Sequence, residues 1–135
     1  MRAGTFSKGS HVCNARFVSI VDDDEALRFA MDTLVRSFGR ETLLFASAEE
    51  FLASGLIADS ACVLSDVMME GMSGIAMHEK MLELGYTTPM LFFTSFPTHD
   101  LITRARTNGA LAVLSKPVDS DTIAYWLGVV LDSPR

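Results

Sequence analysis

Five short apolar runs alternate with five helical patterns along this 135-residue chain. The runs are nearly all apolar, which is typical of strands that are covered on both faces, and turn or capping residues separate them from the helical patterns. The predicted strands are 16–21, 42–45, 62–65, 90–93 and 111–114. This alternation predicts one α/β domain in which a five-stranded parallel sheet lies between helices, and right-handed crossovers restrict it to doubly wound topologies.

Residues that favour helix ends mark where the predicted helices begin and stop. Ser47 and Glu50 form a capping box at the start of the second helix, and Ser73 is the expected cap of the third. The fifth helix is expected to be capped by Asp119 or Ser120. Helix stops are expected at Gly39 and Gly85 and near Gly109, because glycine is favoured just after the end of a helix.

Composition places the chain among globular proteins. It is 49% hydrophobic with a formal net charge of -6, and this acidic balance argues against direct nucleic-acid binding by the chain. No apolar run is long enough to span a bilayer, the first residues lack a secretory signal, and Cys13 and Cys62 lack metal-ligand spacing. We therefore expect a cytoplasmic protein with no membrane partner. Residues 16–132 would form the domain, with a flexible leader at 1–15 and a tail or the start of a linker at 133–135.

Polar residues stand where four of the predicted strands end. They are Asp22, Asp23, Asp66, Thr94, Ser95 and Lys116. In doubly wound sheets the ligand site lies beyond the carboxyl ends of the strands, so these side chains are expected to share one crevice. Crowded carboxylates repel unless a cation joins them, and few protein ligands together with several waters favour Mg²⁺. One carboxylate could then attack phosphorus, while the lysine, the hydroxyl and the metal neutralise charge on the phosphoryl oxygens.

With these motifs the chain resembles the receiver domain of two-component response regulators, which belongs to the CheY-like superfamily. Some of its features are FixJ-like. The resemblance covers residues 17–131 and rests on 21–25 (VDDDE), 65–69 (SDVMM) with 71–74 (GMSG), 93–95 (FTS) and 115–117 (SKP). The FixJ-like features are 47–52 (SAEEFL) and 94–97 (TSFP). The resemblance implies a flavodoxin-like (βα)5 sandwich and a bacterial signalling protein. Such a domain promotes its own phosphorylation and dephosphorylation and is not otherwise an enzyme.

The resemblance also implies how a phosphoryl group would be bound. Asp66 would be the phosphoacceptor, and the donor would be a phosphohistidine on a sensor histidine kinase or a phosphotransfer protein. Lys116 would pair with a phosphoryl oxygen, and its peptide bond to Pro117 would be cis. The Thr94 hydroxyl would move onto the phosphoryl group. Taken in isolation, Lys116 could instead be a solvated surface lysine and Thr94 a turn cap.

Mg²⁺ is the cofactor that the resemblance implies. Asp23 and Asp66 would bind it directly, the main-chain carbonyl of Met68 would be a third protein ligand, and Asp22 would act mostly through a metal-bound water. A simpler explanation exists for the two aspartates after the first strand, because acidic residues are favourable at the N-terminal end of a helix. The presence of Asp66 at the end of the third strand favours the metal site.

Two positions depart from the family pattern. Glu70 stands where the family usually has proline, and we expect its side chain to face solvent rather than to tune the metal site. Val113 stands where the family often has an aromatic switch residue. Valine is short and its χ1 is restricted, so its rotation can transmit little of a change at the site. We therefore expect the loop with Ser95 and Phe96 to carry the change. The output surface would be the fourth helix, fifth strand and fifth helix, which could also form a homodimer.

Two other functions stay open at the level of sequence. The run 22–24 superficially fits a phosphatase of the haloacid dehalogenase type, but Ala26 stands where that motif has threonine or valine, and Asp66 would have no role. A degenerate receiver that binds partners without phosphorylation is the other alternative, with Glu70 as its indication. The histidines show no ligand spacing and are expected to be non-catalytic; they are His11, His78 and His99.

Overall fold

A computed structural model describes residues 16–132 of the chain. The strands are β1 (Phe17–Val21), β2 (Thr42–Phe45), β3 (Ser60–Asp66), β4 (Met90–Thr94) and β5 (Ala112–Ser115). The helices are α1 (Glu25–Ser37), α2 (Ala48–Ala53), α3 (Gly74–Glu83), α4 (His99–Thr107) and α5 (Ser120–Leu131), and a short 3-10 helix (Ile57–Asp59) precedes β3. The expectations for residues 1–15 and 133–135, including those for His11 and Cys13, concern residues outside this described part.

All five strands are parallel, and they lie in the order β2-β1-β3-β4-β5. The order reverses between β1 and β3, so the connections that leave these two strands run to opposite faces of the sheet. A crevice forms between such connections, at the carboxyl ends of the strands. The structure confirms the predicted doubly wound, flavodoxin-like α/β sandwich.

Two hydrophobic cores, one on each face of the sheet, surround the central strand. Residues of α2, α3 and α4 pack on one face, and residues of α1 and α5 pack on the other. All 7 residues of β3 are buried. Its side chains alternate between the cores, since Val63 belongs to the first whereas Cys62 and Leu64 belong to the second. This enclosure leaves Asp66, the last residue of β3, little freedom to move.

Side-chain caps fix where the helices begin. The N-caps accept a hydrogen bond from the main-chain N–H three residues further on, and they are Asp24, Ser47, Ser73, Thr98 and Asp119. The caps predicted at Ser47 and Ser73 are confirmed, and Asp119 is the cap of α5. The stops at Gly39 and Gly85 have φ values of 82° and 91°, a conformation that glycine adopts without steric cost.

The strand β3 extends furthest beyond its apolar run. β3 begins at Ser60, whereas the apolar pattern predicted a start at Cys62. Ser60 is fully buried, and its hydroxyl shares a 2.6 Å hydrogen bond with the hydroxyl of Ser19 on β1. Because each polar group satisfies the other, serine can extend this strand inside the core. The strands β1 and β5 each begin one residue later than predicted, at Phe17 and Ala112.

Cys62 is buried in the core that faces α1 and α5. Burial raises the pKa of its thiol to about 12, so this cysteine stays protonated and packs as a small apolar residue. Within residues 16–132, no helix has the length and apolar character needed to cross a membrane.

Candidate functional site

Three aspartates meet at the carboxyl ends of β1 and β3. Asp22 and Asp23 follow β1 directly, and Asp66 is the last residue of β3. One carboxylate oxygen from each of the three lies within 4.8 Å of the others. Asp22 and Asp66 are buried, with 1% and 5% of their surface exposed, whereas Asp23 is open to solvent. This aspartate cluster therefore has two enclosed carboxylates and one on its solvent side.

The position of Asp22 makes its charge costly. Burial raises the pKa of its carboxyl above the ordinary value, a hydrogen bond from the N–H of Asp24 at 2.9 Å opposes that rise, and the negative charge of Asp66 adds to it. The guanidinium of Arg28 donates to the main-chain carbonyl of Asp22 at 2.7 Å. An added cation in the cluster would relieve both the repulsion and part of the burial cost.

Lys116 supplies a positive charge to Asp66. The Nζ of Lys116 lies 3.0 Å from Oδ2 of Asp66, and only 19% and 7% of the two side chains are exposed. The main-chain N–H of Lys116 donates to the carbonyl of Thr94 at 2.9 Å, which joins the end of β5 to the end of β4. The peptide bond between Lys116 and Pro117 is cis. The hydrogen bond between Lys116 and Thr94 anchors the backbone that presents the ammonium group.

The loop between β3 and α3 (residues 67–73) binds carboxylates with alternate main-chain amides. The donor and acceptor pairs are Met68 N–H to Asp66 Oδ1 at 3.3 Å, Glu70 N–H to Asp23 Oδ2 at 2.8 Å, and Met72 N–H to Glu49 Oε2 at 3.0 Å. The three acceptors lie in β3, just after β1 and in α2. The loop is therefore held against three different elements.

Sequence reasoning missed two parts of this support. From the sequence, Glu49 is only part of a helix-capping signal. Its bond to Met72 joins residues 23 positions apart, and no local spacing indicates such a bond. Gly74 reads only as a motif position. A Cβ at Gly74 would lie 2.3 Å from the main-chain oxygen of Asp66 and 2.9 Å from Oγ of Ser65, so any side chain there would push α3 away from the site. The glycine itself is the available signal, since close backbone approach is one reason for glycine.

Thr94 is the last residue of β4 and is fully buried. Its Oγ1 accepts a 3.1 Å hydrogen bond from the N–H of Phe96, which leaves the hydroxyl hydrogen available to another acceptor. Ser95 and Phe96 are exposed, and 70% of the surface of Phe96 is open to solvent. Val113 on β5 is half-buried and packs against the core on the α2–α4 face.

The other residues considered in the sequence differ in their exposure and in their contact with the aspartate cluster. The side chains of Met68 and Glu70 are exposed, whereas their main-chain amides bind the aspartate cluster. His78 is buried against Phe92, and its Nδ1 has no hydrogen-bond partner among residues 16–132. His99 is exposed at the start of α4. Neither histidine is a member of the aspartate cluster.

The sequence model of the response regulator receiver domain matches residues 18–127. This range covers most of the chain and includes the aspartate cluster and Lys116. The chain belongs to the response regulator receiver family. It is a signalling domain of the two-component type, and its parallel sheet and acidic crevice are consistent with that membership.

Several curated relatives of this receiver domain are transcriptional regulators or response regulators by name. It is 34% identical over 100 residues to nodulation protein W of Bradyrhizobium diazoefficiens. The aligned residues make up 74% of this chain and 44% of that protein. It is 38% identical over 107 residues to the C4-dicarboxylate transport transcriptional regulatory protein DctD of Rhizobium meliloti, with coverage of 78% and 23%. The chain thus spans less than half the length of each of these two relatives.

Solved structures share the fold of this receiver domain. The chemotaxis protein CheY4 of Vibrio cholerae has a TM-score of 0.78 at 27% identity, covering 87% of this chain and 100% of that chain. The response regulator StyR has a TM-score of 0.81 at 29% identity, with coverage of 88% and 60%. The CheX–CheY–BeF3–Mg complex from Borrelia burgdorferi has a TM-score of 0.78 at 20% identity, covers 85% and 88%, and supports the fold alone.

Proposed function

We propose that Asp66 accepts a phosphoryl group from a phosphohistidine on a sensor histidine kinase or a phosphotransfer protein. The surroundings of the Asp66 carboxylate support this proposal. Asp66 is an enclosed carboxylate with the ammonium of Lys116 at 3.0 Å and with the carboxylates of Asp22 and Asp23 in the same cluster. A fixed cation on one side and hard oxygen ligands on the other suit a group that brings several negative oxygens.

In the proposed transfer, an oxygen of Asp66 attacks phosphorus, and the P–N bond to the donor imidazole breaks. The electron pair of that bond stays on the imidazole nitrogen, and Asp66 becomes an acyl phosphate. Lys116 is already beside Asp66 and would pair with a phosphoryl oxygen. The buried hydroxyl of Thr94 retains a hydrogen to donate and would move to a second phosphoryl oxygen.

The donor set fits Mg²⁺, because the grouped carboxylate oxygens are hard ligands of the type that this ion prefers. We propose that Asp23, Asp66 and the carbonyl of Met68 hold the ion and that Asp22 acts through a metal-bound water. When bound, the ion supplies positive charge that offsets the charge on the carboxylates and on the phosphoryl group. The raised pKa of the Asp22 carboxyl reflects burial and the crowding that such a cation relieves.

Incubation with acetyl phosphate and Mg²⁺ tests the proposed function. We expect a stable, hydroxylamine-sensitive adduct that peptide mass spectrometry locates at Asp66. Rapid turnover of phosphate esters with no adduct would favour the phosphatase alternative, whose nucleophile Asp22 is only 1% exposed in this structure. A complete lack of reaction would favour the degenerate receiver that acts only by binding.

Mg²⁺ should stabilise the folded protein, because only the native state brings the three aspartates together. At a free concentration about 100 times the dissociation constant, the expected gain is about 2.7 kcal/mol in the free energy of unfolding, measured by urea denaturation. Asp23→Ala should remove most of this gain, whereas Asp22→Ala should remove less because Asp22 would act through a water. Equal Mg²⁺ responses in the wild type and in Asp23→Ala would reject direct ligation by Asp23.

We further propose that the signal leaves the site through the loop between β4 and α4 (residues 95–98). Movement of the Thr94 hydroxyl onto a phosphoryl oxygen would break its bond to the N–H of Phe96 and release the loop. The ring of Phe96 is exposed, so it can move without opening the core. Val113 is short and partly packed, so rotation of its side chain can transmit little of the change. A partner or a second copy of the chain would read the altered surface of α4, β5 and α5.

A beryllofluoride mimic of the phosphoryl group tests this route by amide chemical shifts. The largest changes remote from the site should fall in residues 96–104, with smaller changes around Val113. Thr94→Ala should remove these remote changes while the mimic still binds, since the hydroxyl is the link between the site and the loop. Changes that centre on α1, or that persist in Thr94→Ala, would contradict the route.

A further inference from the structure

We propose that the main-chain N–H of Glu70 is a positioning group for the Mg²⁺ site, an inference that rests on the metal site of the proposed function. The ligands of that site would come from two separate segments. Asp23 follows β1, whereas Asp66 ends β3 and Met68 lies in the loop after it. The hydrogen bond from Glu70 N–H to Asp23 Oδ2, at 2.8 Å, joins these two segments.

Asp23 is the member of the aspartate cluster that most needs such a restraint. Asp22 is held by burial and by the N–H of Asp24, and Asp66 is held by burial and by Lys116. Asp23 is exposed, so packing does not fix its rotamer. A carboxylate that a hydrogen bond already orients loses less conformational freedom when a metal binds, which is how groups behind the direct ligands raise metal affinity.

The geometry lets the hydrogen bond and the ion share one carboxylate. The N–H of Glu70 uses one acceptor site of Oδ2 of Asp23, which leaves Oδ1 and the second lone pair of Oδ2 for other partners. The same bond holds the loop beside the residues that follow β1, and Met68 lies two residues earlier in that loop. The N–H of Met72 anchors the other side of the loop to Glu49 on α2. Loop and carboxylate are therefore positioned as one unit.

The residue type at position 70 decides whether this bond exists. Every residue other than proline carries a main-chain N–H at this position, and proline has none. The Glu70 side chain is exposed, and the proposal does not use its carboxylate. The structure thus assigns a function to this position that differs from the one its charge would suggest.

The test compares Glu70→Pro with Glu70→Ala by calorimetric titration of the metal-free protein with Mg²⁺. Both variants lack the carboxylate, so the ratio of their dissociation constants reports what proline changes in the backbone, namely the missing N–H and the fixed φ. We expect Glu70→Pro to bind Mg²⁺ about tenfold more weakly than Glu70→Ala, the loss typical of removing an orienting partner from a metal ligand. Glu70→Gln, which keeps the N–H and the side-chain length, should bind Mg²⁺ like Glu70→Ala or more tightly than it.

Amide hydrogen exchange in the metal-free protein gives a second measurement that does not need the proline variant to fold. Asp23→Ala should speed exchange of the Glu70 amide and leave the Met72 amide unchanged, because Glu49 holds the latter. Glu49→Ala should do the reverse. This reciprocal pattern would show that the two anchors of the loop are separate and that Asp23 is the acceptor for Glu70.

The outcomes separate this inference from the proposed function. If the wild type binds no Mg²⁺, the metal site fails and the inference fails with it. If the wild type binds Mg²⁺ but Glu70→Pro binds it as tightly as Glu70→Ala or more tightly, only the positioning role is overturned. An unchanged Glu70 exchange rate in Asp23→Ala would overturn it as well.

Discussion

We expect the replacement of Asp66 by asparagine to abolish the hydroxylamine-sensitive adduct that the proposed function predicts for the wild type with acetyl phosphate and Mg²⁺. The amide keeps the shape of the side chain, but it has neither the charge nor the nucleophilic oxygen that would attack phosphorus in the proposed transfer. Labelling should fall to background, measured by phosphate-affinity electrophoresis and by intact-protein mass spectrometry. Asp59→Asn, on the exposed end of the 3-10 helix, is the control and should label at the wild-type rate.

The stability of Asp66→Asn separates loss of chemistry from loss of fold. The substitution removes the repulsion between Asp66 and the neighbouring Asp22, and it weakens the attraction to Lys116. These two effects oppose each other, so the free energy of unfolding should change by no more than about 1 kcal/mol. A folded Asp66→Asn protein that still labels at the wild-type rate would defeat the assignment of Asp66 as the phosphoacceptor.

We expect the replacement of Lys116 by methionine to destabilise the metal-free protein. Methionine fills a similar volume, but it leaves the enclosed Asp66 carboxylate beside two other carboxylates with no cation to pair with. Breaking an enclosed ion pair from one side costs several kcal/mol, and the partial exposure of Lys116 reduces the expected loss to about 2 kcal/mol. Urea denaturation at neutral pH without divalent ions measures it.

Three controls test the cause of that loss. Lys80→Met removes an exposed lysine that lies 3.6 Å from Glu83, and it should change stability by no more than about 0.5 kcal/mol. Adding Asp66→Asn to Lys116→Met should restore most of the stability, because the unpaired charge is gone. Mg²⁺ should restore part of it, since the ion would replace the missing positive charge. A loss in Lys116→Met no larger than in Lys80→Met would show that the pair is not important to the fold.

The type and order of the secondary-structure elements were predictable because they depend on interactions between residues close in the chain. The apolar runs that become strands, and caps such as Ser47 and Ser73, act over a few residues. Placing Asp66 and Lys116 at one edge also needed only local information. Once strands alternate with helices, the sheet is parallel, and a parallel sheet gathers the carboxyl ends of its strands.

Contacts between distant residues were decided only by the tertiary structure. The start of β3 depends on the bond between Ser19 and Ser60, which are 41 positions apart, and the loop after β3 depends on partners 23 and 47 positions away. A single sequence does not show which residues this far apart in the chain are in contact. Glu70 shows the reason most clearly. Its side chain was expected to face solvent, and it is exposed, but the group of Glu70 that bonds to Asp23 is a main-chain N–H that every non-proline residue carries. Sequence shows that this donor exists, and only the packing of β1 beside β3 places the carboxylate of Asp23 in front of it.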